Sequence, residues 1–382
     1  MAEQEQTTRH EFRLRKMNRR HFLKATGLTT APLVFPWMRG EAMAGADSAS
    51  NANKGSFSFV TIPDVHVDFM CSKQNLSAMA KWIVEHVGER NIRFVCQLGD
   101  IGDRRGSGPI LEMLQQAREA MAPLVEADIP LTVCVGNHDY DDQQKSRSLE
   151  HWSRADTFGP DLYRGRPWFG GTFEDHAQQP GLHPGGAANH YMRLELPGAR
   201  LLLLNLEFGP RDKVMQWAED LVSRQYPDHD VIVFTHSYLH TSGERVTKDT
   251  RWSPKGYGAV STEAGPEYTN DGQDLWERYF RRWPKLRMVH SGHAIWDPRQ
   301  ARLISEGDHG NPVTQLFNNW QSYGFDPDEG KLVRGQPYQA TMLRIFSVNP
   351  RANTVTVENL MPVIDKEGEA PIPASFDYAQ PW

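Results

Sequence analysis

Five short apolar runs in this chain each stop at residues that have no place in a core. Phe57–Ile62 gives way to Pro63-Asp64-Val65-His66, and residues 92–98 to Gly99-Asp100. Residues 131–135 run into Gly136-Asn137-His138-Asp139, residues 231–235 into His236, and residues 288–290 into Ser291-Gly292-His293. Between the runs, residues 76–87, 110–125, 213–226 and 275–283 carry apolar side chains at helical spacing. Strands alternating with helices predict parallel β-α-β units and a sheet covered by helices. Strands buried on both faces should be almost continuously apolar, and these are. The carboxyl ends of strands in such sheets form the ligand crevice, so the five polar endings are expected to meet there.

The rest of the chain is read around that core. Residues 191–196 and 201–205, split by Pro197-Gly198, predict a hairpin. Strands are expected at 301–304, 313–317, 341–348 and 354–358. Residues 140–188 and 237–271 show no period, and connections this long are usually functional. They follow His138 and His236, so they are expected to rim the crevice.

The first fifty residues are not expected to belong to the fold. A twin arginine in Asn18-Arg19-Arg20-His21-Phe22-Leu23-Lys24 precedes an uncharged run to Met38, then small residues at Ala42-Met43-Ala44-Gly45-Ala46. That order resembles a twin-arginine (Tat) export signal. The run holds Pro32 and Pro36 and is shorter than the roughly 20 residues a membrane span needs. The expected division is a cleaved signal at 1–46, a linker at 47–56, one domain at 57–360 and a Pro-rich tail at 361–382. The Tat machinery is then a partner, the location periplasmic or secreted, and the mature chain free of membrane spans.

Cleavage after Ala44 or Ala46 would remove eight of 42 basic and four of 48 acidic residues, leaving a net charge of −10. An acidic chain without a basic block is a poor binder of nucleic acid or anionic membranes. Three cysteines, Cys71, Cys96 and Cys134, make no disulfide framework. Cys96 and Cys134 sit in apolar runs and are expected to be buried. Cys71 is expected to be exposed.

Asp, His and Asn are oxygen and nitrogen ligands, and no cysteine joins them, which suits Mn, Fe, Zn or Ni/Co rather than a thiolate site. Two cations about 3.5–4 Å apart need a bridging carboxylate and can clamp the attacking and leaving oxygens of a displacement. The glycines before Asp100, Asn137 and His293 let the backbone approach the ions. Each fragment alone is common by chance; all five in order are not.

The series Asp64-Val65-His66, Gly99-Asp100, Gly136-Asn137-His138-Asp139, His236, Gly292-His293 resembles the calcineurin-like metallophosphoesterase family over roughly residues 57–360. The resemblance implies an α/β fold: a four-layer αββα sandwich, two mixed β-sheets flanked by helices, the metallo-dependent phosphatase fold. It implies two divalent metal ions (Mn, Fe or Zn), with Asp64 and His66 on the first, Asp100 bridging, and Asn137, His236 and His293 on the second. His138 would protonate the leaving oxygen or stabilise charge on the phosphate, and Asp139 would orient His138. The nucleophile would be a metal-bound hydroxide, and the substrate a small phosphorylated molecule or a phosphoprotein.

Two positions depart from the family. Its final metal-binding His falls on Ile295. The first site is then more open, or borrows His290, Asp68 or Asp297, or binds metal weakly. Purple acid phosphatases place a tyrosine ligand three residues after the bridging Asp; Asp103 stands there, so their colour should be absent. Arg104 and Arg105 could grip a phosphate or be solvated loop charges, and Trp168, Tyr238 and Trp252 could stack on a substrate or serve core packing. The rival readings are a periplasmic metal- or ligand-binding protein with a decayed site, and a lactonase-type metallohydrolase. The latter lacks its His-x-His-x-Asp-His cluster here.

Overall fold

The computed structural model describes residues 55–103, 108–142, 146–177, 186–257, 261–294, 301–319, 323–326, 331–334, 342–362, 372–374 and 382. All lie in the unit Ser50–Trp382. The expected export signal, most of the linker, Arg104, Arg105, Ile295, Asp297 and most of the tail fall outside the described residues. No helix among the described residues is long and apolar enough to cross a membrane.

The chain begins with β1 (Phe57–Ile62), α1 (Lys73–His86), β2 (Ile92–Gln97), α2 (Ile110–Ala120), α3 (Ala122–Glu126) and β3 (Leu131–Val133). It continues through β4 (Phe169–Thr172), α4 (Phe173–Ala177), β5 (His190–Leu196), β6 (Ala199–Leu206), α5 (Asp212–Asp220) and β7 (Asp230–Thr235). Next come α6 (Gly272–Arg278), β8 (Leu286–Ser291), β9 (Arg302–Glu306), β10 (Pro312–Phe317), β11 (Tyr323–Asp326) and β12 (Lys331–Arg334). The last strands are β13 (Leu343–Asn349), β14 (Thr354–Met361) and β15 (Ile372–Ala374).

Two mixed sheets result. One runs β15-β14-β13-β1-β2-β3, the other β4-β5-β6-β7-β8-β10-β9, and β11 and β12 form a separate hairpin. Strands β1, β2 and β3 are parallel, as are β6, β7, β8 and β10. Antiparallel strands complete each sheet, β13–β15 on one and β4, β5 and β9 on the other.

Alternation along β6 and β7 explains the layering. Leu201, Leu203, Ile232 and Phe234 belong to the core that also holds Phe59, Phe94 and Phe346 of the first sheet. Leu202, Leu204, Leu206, Val231 and Val233 face the opposite way, into a second core with Val214, Trp217 and Ala218 of α5 and Leu275 and Trp276 of α6. Successive side chains of a strand point to opposite faces, so an unbroken apolar run packs on both. Helices α1 and α2 cover the first sheet's outer face with Leu76, Met79, Ile83, Leu114 and Ala117.

Several local expectations are corrected. The helix expected over 110–125 is two helices that part at Met121. Pro123 explains the break, because it supplies no N–H and disfavours helical backbone in the residue before it. The helix expected over 213–226 ends as an α-helix at Asp220 and widens into a π turn over Leu221–Gln225. Residues 140–188 are not all loop: they contribute the edge strand β4 and buried Trp152, Phe158 and Tyr163. Cys71 is buried, not exposed; its backbone pairs with Val67, and burial pushes its thiol up to about 12. In the tail, β15 pairs with β14, and the ring of Trp382 meets Phe57 edge-on.

His290 lies in the core between the sheets, and the idea that it replaces a metal ligand is set aside. Its ring stacks on Phe234 and meets Phe59 and Phe346 edge-on at 5.5 and 4.8 Å. Both ring nitrogens lack a hydrogen-bond partner among the described residues. Burial, assisted by Arg344, lowers its pKa from 6.5 to about 3. A folded pKa below the unfolded one means that the unfolded chain binds more protons between these values. The stability tied to His290 is therefore complete above pH 6.5 and lost as pH falls towards 3. His290→Leu, close in volume, is expected to raise the melting temperature and flatten its decline between pH 6.5 and 4. Thermal melts across that range would show it, and an unaltered slope would count against it.

Candidate metal centre

The five strand endings do converge, and backbone geometry brings them together. The N–H groups of His66 and Val67 donate to the carbonyls of Asp100 and Ile101 at 3.0 and 2.9 Å, zipping the first two endings together. The Gly292 N–H donates to the His236 carbonyl at 2.9 Å, joining the last two. A Cβ at Gly136 would collide with the backbone nitrogen and Oδ1 of Asp100, and one at Gly292 with Oδ1 of Asp64. Only glycine permits these approaches. His66, Asp100 and His293 take φ values of 43°, 51° and 74°. L-residues adopt that left-handed region rarely and at a cost, and such strain clusters at functional sites.

Asp64, His66, Asp100, Asn137, His236 and His293 are all buried. Among the described residues, three groups have ligand atoms close enough to share an ion: Asp64, His66 and Asp100; Asp100, His236 and His293; and His66, Asp103 and His138. Asp100 belongs to the first two. Asn137 joins the second through Oδ1, which lies 3.1 Å from His236 Nε2.

Two of the three imidazoles hydrogen-bond a backbone carbonyl through one nitrogen, and the third sets one nitrogen against a carboxylate. His236 Nδ1 donates to the Leu98 carbonyl at 2.8 Å, leaving Nε2 3.2 Å from Asp100 Oδ2. His293 Nε2 donates to the Trp252 carbonyl at 2.8 Å, leaving Nδ1 as its ligand atom. His66 Nδ1 lies 2.8 Å from Asp103 Oδ2, leaving Nε2 3.6 Å from Asp100 Oδ2. Metal-bound histidines show this arrangement, because the outer hydrogen bond fixes the tautomer and ring orientation.

The electrostatics fit a cation as well. Burial works against ionising Asp100, yet His236, His138 and His66 outweigh it and hold its carboxyl far below the usual range. Burial would lower His236, but the charges of Asp100 and Asp64 carry it up to about 10. Burial raises Asp64, with Asp100 adding to the rise. Burial and then His236 push His293 down to about 3. Buried carboxylates this close are costly unless a positive charge joins them. The donor set of carboxylate oxygens, imidazole nitrogens and one amide oxygen fits divalent metal ions.

His138 stands apart, with 23% of its side chain exposed and Nδ1 3.4 Å from Asp103 Oδ1. Asp103 thus spans two imidazoles, His66 through one oxygen and His138 through the other. This corrects the role expected of Asp139. Its oxygens accept the N–H groups of Gly102 and Gly136 at 2.8 and 2.7 Å, so it braces two site loops. Burial, then the charge of Asp100, raises its pKa to about 7.

Two residues at the site were not read from the sequence: Asn319 donates from Nδ2 to Asp64 Oδ2 at 2.7 Å, and the Tyr257 hydroxyl lies 3.3 Å from His293 Nε2. Trp252, expected as a stacking surface, reaches His293 through its backbone carbonyl. Asn319 follows β10 just as the other site residues follow their strands, so the strand-end pattern could have found it. Of the substitutes considered for the missing ligand, Asp68 is exposed, and Ile295 and Asp297 lie outside the described residues. Trp168 is buried, and buried Tyr238 hydrogen-bonds to Gln315, so neither serves as a stacking surface.

The chain belongs to the calcineurin-like phosphoesterase family, whose model matches residues 57–297. It is similar to the uncharacterized protein YvnB of Bacillus subtilis (strain 168), 22% identical over 278 residues. That stretch is 73% of this chain but spans only 18% of the relative's length. Among solved structures it is similar to GAP50, the anchor in the inner membrane complex of Plasmodium. The TM-score is 0.41 at 10% identity, covering 85% of this chain and 89% of the other.

Asp103→Asn removes the carboxylate that orients His66 while keeping its shape. Outer partners of metal-bound histidines are worth about 10- to 100-fold in affinity. Equilibrium dialysis with manganese is expected to show a loss of that size, and unchanged affinity would discount Asp103 as an orienting group.

Proposed function

We propose that this chain is an exported, metal-dependent phosphoesterase that hydrolyses a phosphate mono- or diester at a binuclear centre. The observation that carries the reading is Asp100, one carboxylate common to two ligand groups whose imidazoles are already turned to it. Asp64 and His66 would hold one ion, Asn137, His236 and His293 the other, with Asp100 between. When bound, two divalent ions supply Lewis acidity, making water nucleophilic near neutral pH and offsetting phosphoryl charge.

The protein's own part is positioning and proton transfer. Asp103 faces Nδ1 of His138, so Nε2 is the nitrogen left to give a proton to the departing oxygen. The partial exposure of His138 suits a group that meets substrate, whereas the metal-holding side chains are enclosed. Export rests on the twin-arginine pattern at Arg19-Arg20, and the family supports the reaction class.

The direct test is hydrolysis of p-nitrophenyl and bis-p-nitrophenyl phosphate by protein loaded with manganese. Turnover abolished by a chelator and restored by metal is the expected result. Bound metal without turnover of either ester would favour a binding protein with a decayed site. His138→Ala should keep its metal yet lose about 10²- to 10⁴-fold on alkyl phosphates, the range of general-acid catalysis. The loss on nitrophenyl esters, whose leaving groups need little protonation, should be much smaller. Equal losses would remove the general-acid role.

A further inference from the structure

The connection after β7 returns to the metal centre through two residues, Trp252 and Tyr257. Trp252 takes a left-handed φ of 65°, a costly conformation for a bulky side chain. That conformation accompanies a carbonyl placed 2.8 Å from His293 Nε2. A 3-10 turn over Pro254–Gly256 then delivers Tyr257. Lys255 in this turn is tied to Asp271 at 3.1 Å and to Asp274, both members of the capping box that opens α6. The ring of Tyr257 stands edge-on to Phe208 at 5.2 Å, and Phe208 packs against both His236 and His293. The phenol is therefore held in place before any ligand arrives.

Its hydroxyl lies 3.3 Å from His293 Nε2. If His293 binds metal through Nδ1, Nε2 carries the ring's one proton, and that proton goes to Trp252. Nε2 then has no lone pair to accept from Tyr257. Among the described residues the Tyr257 hydroxyl makes no other hydrogen bond. A phenol keeps its proton at neutral pH. Metal loading thus leaves a fixed, half-buried O–H donor 3.3 Å from a candidate ligand, with no acceptor for its proton among the described residues.

We propose that the Tyr257 hydroxyl is a catalytic donor that binds a non-bridging oxygen of the phosphoryl group held at the centre. This rests on the phosphoesterase reading above and adds a residue from the long connection to the reaction. A preorganised donor of this kind acts most strongly where negative charge builds in the transition state. The same hydroxyl would hold orthophosphate after hydrolysis.

Tyr257→Phe in the full chain removes one oxygen and leaves the ring against Phe208. Manganese content and melting temperature are expected to match the wild type, because the phenol is not a ligand. With p-nitrophenyl or bis-p-nitrophenyl phosphate, kcat/KM should fall roughly 10- to 100-fold, at or below the usual effect of one oxyanion donor. Calorimetry with inorganic phosphate and manganese-loaded protein should show weaker binding by about 10-fold, as expected for one hydrogen bond to a charged group. Wild-type values in both assays would overturn the proposal. So would loss of metal, which would make Tyr257 a support for His293 instead of a substrate contact. If the wild type itself neither hydrolyses these esters nor binds phosphate, the phosphoesterase reading fails and this proposal with it. An active wild type with an unaffected Phe variant rejects Tyr257 alone.

Discussion

The buried carboxylate of Asp100 ties the two sheets together chemically. It follows β2 of the first sheet, and its Oδ2 faces His66 after β1 and His236 after β7 of the second. Its Oδ1 accepts the backbone N–H of His138 at 2.8 Å, so it also sets the ending of β3. A left-handed backbone holds it in place, and the absent side chain of Gly136 makes room for it. Burying such an anion is costly. Imidazoles offset part of that cost, and a cation shared between the two ligand groups would offset more.

The polarity of neighbouring atoms extends this arrangement outward. The carbonyls of Leu98 and Trp252 and the carboxylate of Asp103 each take one imidazole nitrogen and release the other. Asp139 and Asn319 do comparable work with amide hydrogens, one bracing Gly102 and Gly136, the other steadying Asp64. The inner residues offer the metal-competent atoms, while the surrounding shell decides which atom each presents. This division explains why only His138 among the site imidazoles combines partial exposure with a carboxylate partner.

The inner set was legible because strand ends are readable. An apolar run that stops at Gly-Asp or Gly-Asn-His-Asp shows both where the strand finishes and what stands there. The same runs predict a helix-covered sheet, the two-sheet sandwich follows from the family resemblance, and alternate residues of β6 and β7 feed the opposite cores it requires. The outer set was less legible because its partners are far apart in sequence. Asp103 offered a spacing of three from Asp100, but nothing local says that its two oxygens serve His66 and His138. Asp139 beside His138 looked like its partner, yet neighbouring residues in a turn can point apart. Cys71 was misread because a polar neighbourhood in sequence, Cys71-Ser72-Lys73, becomes the capped and covered start of α1 once folded.

Manganese titration followed by electron paramagnetic resonance addresses the centre most directly. Two ions bridged by Asp100 would be coupled magnetically. The expected result is two manganese ions per chain and the broadened, weakened signal of a spin-coupled pair. That signal should revert to that of isolated ions when Asp100 is replaced by Asn. A single uncoupled ion at saturation, or no bound manganese, would contradict a binuclear centre built on Asp100.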